Sequence, residues 1–188
     1  MRPIRTGRSR QEAAHALYMA LVSQARRPEL FLACAIPDSR DGRLEAIYLH
    51  AMLVLRRLHA EGPQGQALAQ SLFDVLFADV DRHLREWGVG DLSVGKQVKK
   101  LVSSFYGRVA ALEPHLAGDD PRPLAPVLRR NVYAERPEVA EEAVLRLAAY
   151  LVHQARWLDF QPATALLEGR VAFAGTELEP FPAVEARR

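Results

Sequence analysis

Six histidines, 23 carboxylates and one cysteine are the side chains with which this chain could do acid-base, metal or nucleophilic chemistry, and their spacing limits which reactions are open to them. Gly90 to Gln97, GDLSVGKQ, comes close to a phosphate-binding loop of the form Gly-x-x-x-x-Gly-Lys-Ser/Thr. Gln97 stands where the magnesium-binding hydroxyl must be, and no strand pattern precedes it, so Lys96 reads as part of a helix face. A di-iron bundle needs paired Glu-x-x-His motifs with two further glutamates, and only Glu12 to His15 fits. Asp79, Asp81 and His83 imitate the opening of a calcium loop, but Leu84 fills the glycine place and Gly90 the place of the bidentate glutamate. An isoprenoid-synthase arrangement needs a second acidic cluster on a helix, and Asp119 with Asp120 lies in a proline-broken turn. Cys34, inside LFLACAI, reads as a small buried hydrophobe; a lone thiol excludes an internal disulfide and a cysteine-based metal cluster. His50 and His153 read as packing or surface residues. No catalytic residue, metal ligand or cofactor is assigned.

The elements that position these groups are helices. From Leu72 to Arg108 the sequence reads as a helical hairpin. On a wheel of 3.6 residues per turn, Leu72, Phe73, Leu76, Phe77, Val80, Leu84 and Trp87 share one apolar arc, with Asp74, Asp81 and Arg85 along its edge. Asp81 and Arg85 are four apart and can pair. Gly88 or Gly90 can adopt the left-handed conformation that ends a helix, and Asp91 can cap the next one. Beyond it Val94, Val98, Leu101, Val102, Phe105, Val109 and Leu112 repeat at helical spacing while Lys96, Lys99 and Lys100 point elsewhere.

Similar spacing predicts helices from about Arg10 to Ala25, from Pro28 to before Pro37, from Gly42 to Ala60, over LAPVLRRNVY and from Glu138 to Phe160, with one further turn in PATALLEG. Asp41 is the expected cap of the helix at 42–60, and EGPQGQ is expected to be a linker. Alternating β patterns are nearly absent. The fold class expected is therefore all-α, one domain over 1–188 with about seven or eight helices, a solvated basic tail over 1–9 and a poorly periodic arm over 170–188. At 49% hydrophobic and 26% charged residues the chain has the balance of an ordinary globular domain, and a net charge of +2 does not by itself imply nucleic acid. No apolar run reaches the roughly 18 to 20 residues that span a bilayer.

The helix at 42–60 is apolar on two sides and is expected to be central. Its polar direction carries Arg43, His50 and Arg57 at spacings of seven. A buried charge without a partner costs several kcal/mol, so at least one of these groups is expected to contact Asp74, Asp79 or Asp81 on the next long helix. Lys96, Lys99, Lys100, Arg129 and Arg130 form a candidate basic face, read first as solvated and otherwise as a contact for acidic lipid headgroups, ribosome or protein.

The hairpin also carries a likeness. LFDVLFADVDRHLREWGVGDLSVGKQVKKLVSSFYGRV, with LYMALVSQARRPELF and IPDSRDGRLEAIYLHAMLVLRRL upstream and LRRNVY downstream, resembles the ubiquinol-cytochrome c chaperone family from about Leu17 to Tyr133. Trp87 stands where the family pattern leads one to expect methionine. The resemblance implies a non-catalytic assembly factor for respiratory complex III whose client is newly made cytochrome b, with peripheral contact to membrane or ribosome, no small-molecule substrate and no specific nucleic acid. Mitochondrial members act with a small partner protein near the ribosomal exit. Without a recognisable targeting region, the resemblance points to a bacterial, cytoplasmic protein, peripheral at the inner membrane. The family-like positions expected to touch the client are Phe77, Leu84, Trp87, Val89, Phe105 and Tyr106, in a groove between helices 42–60 and 72–112, with Arg43, Arg57, Asp74, Asp81 and Arg85 holding the scaffold. The other readings kept open are a ribosome- or nucleic-acid-binding adaptor using the Lys96, Lys99 and Lys100 face, and an unrecognised all-α enzyme.

Overall fold

Helical spacing of apolar residues becomes helix almost everywhere the sequence shows it. The computed structural model describes residues 7–175, and these form α1 (Gly7–Ala25), α2 (Pro28–Leu32), α3 (Arg40–His59), α4 (Gly62–Glu86), α5 (Asp91–Leu116), α6 (Ala125–Asn131), α7 (Glu141–Asp159) and α8 (Ala163–Leu167), with a 3-10 turn at Arg122–Leu124 before α6. The fold is all-α, and no strand occurs among the described residues. Helix α3 is the central element, packing against α1, α4, α5 and α7. Ala46, Ala51, Leu53, Val54 and Leu58 along it are fully buried. No helix among the described residues is long and apolar enough to cross a membrane.

Several boundaries differ from the sequence reading, each for a local reason. The stretch EGPQGQ is not a linker, since α4 starts at Gly62. Pro63 sits in the first turn, where its missing N–H costs nothing, and Gly65 is buried where a Cβ would stand 2.1 Å from the Leu58 carbonyl oxygen, so glycine here permits the close approach of α4 to the end of α3. Ser39, not Asp41, caps α3 by accepting a hydrogen bond from the Gly42 amide at 3.2 Å. At the hairpin corner Gly88 has φ +81°, as expected of a helix-ending glycine, and Gly90 is the residue before α5. Asp91 lies in the first turn of α5 and pairs with Arg85 rather than capping. Helix α7 begins at Glu141 rather than Glu138, its first turn acidic as the helix dipole favours.

The described end of the C-terminal arm, 170–175, is extended and held by glutamine side chains. Gln154 and Gln161, two turns apart on or just past α7, each pair twice with its backbone: the Gln154 amide donates to the Ala174 carbonyl at 2.9 Å while its oxygen accepts from the Ala174 N–H at 2.9 Å, and Gln161 does the same with Ala172 at 2.6 and 2.9 Å. Residues 176–188 and the first six residues of the expected basic tail lie outside the described residues, whereas Gly7 to Ser9 already belong to α1.

The basic stripe of α3 does not meet the aspartates of α4, which overturns that expectation. Arg43 is exposed and paired with Asp38 at 2.6 Å. Arg57 is buried at the other end, where its guanidinium donates to the Leu158 and Gln161 carbonyls at 3.0 Å each and pairs with Glu61. Arg57 is thus satisfied by the carboxylate of Glu61 four residues on, together with backbone carbonyls at the C-terminal end of α7, and not by an aspartate of α4. The three residues share an azimuth, but along 20 residues of helix they face three different neighbourhoods.

Candidate functional site

Where α1 ends, α3 begins, α4 ends and α5 begins, the helices leave a groove of about 600 Å³. Leu44 and Ile47 of α3, Leu76, Val80 and Leu84 of α4 and Leu101 of α5 give it an apolar floor. Leu76, Val80 and Leu84 are buried against the core and form the bottom of the groove, and Leu44, Ile47 and Leu101 are only partly covered. Trp87, the residue that ends α4, stands at the mouth with 42% of its surface exposed. The Arg40 guanidinium lies 5.0 Å from the Trp87 ring centre and the His83 imidazole 5.9 Å, which fixes the indole without burying it.

On one side the wall is polar and internally satisfied. The Tyr18 hydroxyl donates to the Asp79 carboxylate at 2.5 Å, and the same carboxylate pairs with Arg82. Burial and the neighbouring Asp79 charge push the Tyr18 hydroxyl well above its ordinary range, so it stays protonated and donates. The remaining lining groups are basic or amide: Arg26, Arg40, Arg43, Lys100 and Gln97, against Asp41.

The residues expected to touch a client separate into three places. Leu84 and Trp87 line the groove, and Val89 is half-buried just beyond it, its N–H donating to the Leu84 carbonyl at 3.1 Å. Phe77 and Phe105 do not line this groove: they are buried, 7% and 1% exposed, in an aromatic cluster with Tyr48 and Phe73, and Phe105 borders a smaller hollow instead. Tyr106 is exposed elsewhere on the hairpin, stacked on Phe73 at 5.4 Å over that smaller hollow. Of the charged set, Asp81 and Arg85 pair at 2.7 Å as their spacing predicts, while Asp74 bonds Gln70 at 2.8 Å and pairs with no arginine among the described residues. Lys96, Lys99 and Lys100 are exposed on α5 and Arg130 on α6, but Arg129 is taken up by the Val139 carbonyl at 2.6 Å and by Glu141 at 2.6 Å, so the expected basic face loses that member. Sequence reasoning missed Tyr18, Arg26 and Arg40 as groove residues. Their positions fall inside the family-like blocks, but periodicity does not reveal which neighbour a helix end meets.

No group of three or more histidine, cysteine or acidic side chains among the described residues is placed to hold a metal ion. Cys34 is buried, and burial pushes its thiol up to about 11. His50 is wholly enclosed. Its Nδ1 donates to the Ala46 carbonyl at 2.7 Å, which leaves Nε2 to accept from the Tyr150 hydroxyl at 2.7 Å, whose oxygen accepts in turn from Gln24 at 2.8 Å. Burial pulls this imidazole down from its usual 6.5 to about 4, against the bond to Ala46. Because the unfolded chain binds the proton near pH 6.5 and the folded one only near 4, stability is full above 6.5 and falls as pH drops through that window, by up to about 3 kcal/mol. Urea midpoints measured from pH 7 to 4 should fall more steeply for the wild type than for His50→Gln; parallel curves would assign the acid sensitivity to other groups.

A model of the family described as ubiquinol-cytochrome C chaperone matches residues 32–173, a span that holds nearly all of this groove. The chain belongs to the ubiquinol-cytochrome c chaperone family. Among its relatives, ubiquinol-cytochrome c reductase complex assembly factor 1 of Mus musculus is 26% identical over 155 residues, covering 82% of this chain and 52% of the mouse protein. The Xenopus laevis protein of the same name is 24% identical over 162 residues, 86% of this chain and 80% of its own length. The chain thus spans about half of the mouse relative. The crystal structure of the Cbp3 homolog from Brucella abortus superposes with a TM-score of 0.80 at 34% identity, over 90% of this chain and 92% of that one. The chaperone family therefore extends over the helical arrangement that builds the groove.

Proposed function

We propose that this protein is a non-catalytic chaperone of ubiquinol:cytochrome c reductase assembly, and that its client is newly made cytochrome b, held by the groove between α3, α4 and α5. The observation that carries the reading is an apolar trough open to solvent with a half-exposed tryptophan at its mouth, in a family named for this chaperone role. A soluble domain seldom leaves such surface uncovered without a use for it. Covering apolar surface is worth about 25 cal/mol per Å², so a trough of this size holds a greasy segment for a time and lets it go. The relatives named as assembly factors of the same enzyme complex support the client class.

Nothing in this role requires a reacting group. The chain's part is to present Leu84, Trp87 and the floor residues to a segment that would otherwise aggregate, and to release it when its permanent partners arrive. Such a holdase works in the cytoplasm, at the face of the membrane into which its client inserts. A tagged copy, recovered from cells induced to make complex III, should bring cytochrome b with it and should lose it once assembly is complete. Complex III at wild-type levels in cells deleted for this chain would overturn the proposed client.

A further inference from the structure

The rim of the groove is not electrically neutral. Arg43 is held by Asp38 and the Asp79 carboxylate by Tyr18 and Arg82. That leaves Arg26 just past α1, Arg40 at the start of α3 and Lys100 on α5, all exposed, none in an ion pair with a carboxylate among the described residues, and only Asp41 to oppose them. A groove of about 600 Å³ is too small for a whole helix. It can take the apolar side chains of about two turns, the i, i+3, i+4 and i+7 positions of an amphipathic segment, and the residues flanking those anchors then come to lie over the rim.

We infer that the groove selects among apolar helical segments by charge, accepting those flanked by carboxylates and rejecting those flanked by lysine or arginine. This rests on the groove being the client site, and it names what that site discriminates. The apolar floor supplies affinity to any greasy helix, whereas unpaired cations on the rim favour one flank and oppose the other, which is how a sticky surface acquires specificity. The consequence for a membrane-protein client is definite. Membrane helices carry their excess of lysine and arginine on the cytoplasmic side, so a cationic rim turns away those ends and engages acid-flanked segments.

Three fluorescein-labelled peptides with one apolar helical core, flanked by Glu, by Gln or by Lys, decide the matter by anisotropy with the full chain. At low salt the Glu-flanked peptide should bind tightest and the Lys-flanked one roughly ten-fold more weakly, the gap closing near 0.5 M salt where screening is about 4 Å. The double variant Arg26→Glu/Lys100→Glu changes two exposed side chains, should keep its circular dichroism, and should invert the order. Equal affinity of the wild type for all three peptides, or an order unchanged in the double variant, overturns the charge selection; the groove itself still stands if Trp87→Asp weakens all three. Binding of none of them, or binding that Trp87→Asp leaves untouched, overturns the groove reading and the selection with it.

Discussion

Trp87→Asp should leave the protein folded and take away at least nine-tenths of the cytochrome b recovered with it. The indole is 42% exposed at the end of α4, at the edge of an open groove with Arg40 and His83 beside it, so its removal opens no enclosed cavity. The cost to folding is the loss of a surface cation-π contact and the presence of an acid at the negative end of a helix dipole, together about 1 kcal/mol or less. The cost to binding is larger. Large aromatic anchors at the mouth of a groove commonly contribute 2 kcal/mol or more when truncated, about thirty-fold in affinity, and a carboxylate at that place must also be desolvated under an apolar client. Circular dichroism melting and client recovery are read on the same preparation, with Trp87→Gln separating loss of the ring from gain of charge. Recovery unchanged in both variants would remove Trp87 from the client surface.

Phe105→Ala should do the reverse of this, acting on stability first. The ring is 1% exposed and packs edge-on to Tyr48 at 5.3 Å and to Phe77 at 5.9 Å, so truncation leaves a hole at the centre of the α3–α4–α5 contact. Deleting a core phenylalanine costs about 3–5 kcal/mol. For a chain of this size that lowers the melting temperature by roughly 10 °C. Any loss of client capture should follow the loss of folded protein and recover when measured well below the melting point. A variant that melts with the wild type while failing to hold cytochrome b would return Phe105 to the binding surface.

These two aromatics were indistinguishable in the sequence. Both lie on the apolar arcs of the hairpin, and a wheel reports direction about one axis only. Trp87 escapes burial because it is the cap residue just past the end of α4, where no further turn covers it, while Phe105 sits mid-helix opposite α3. The same limit explains the basic stripe of α3: spacing puts Arg43, His50 and Arg57 in one line, but whether each meets a carboxylate, a hydroxyl or a helix-end carbonyl depends on which helix crosses there. The linker that became the start of α4 misleads for a related reason. Gly65 reads locally as a helix breaker, yet it is the one residue type that lets the α4 backbone lie against Leu58.

What this chain settles without its fold is local and periodic. Helical repeats of leucine and valine, a glycine corner at Gly88 or Gly90 and the i, i+4 pair of Asp81 with Arg85 are set by spacing along one helix and stand in the structure, with Gly88 taking the left-handed place; the family likeness is set by the order of residues, and the family model matches 32–173 where the family-like blocks run over about 17–133. What needed the tertiary arrangement is every relation between helices: a groove assembled from four helix ends, the unpaired cations on its rim, and the burial that holds His50 neutral. Those depend on crossing points and on desolvation, which residues far apart in the chain create only when they are brought together.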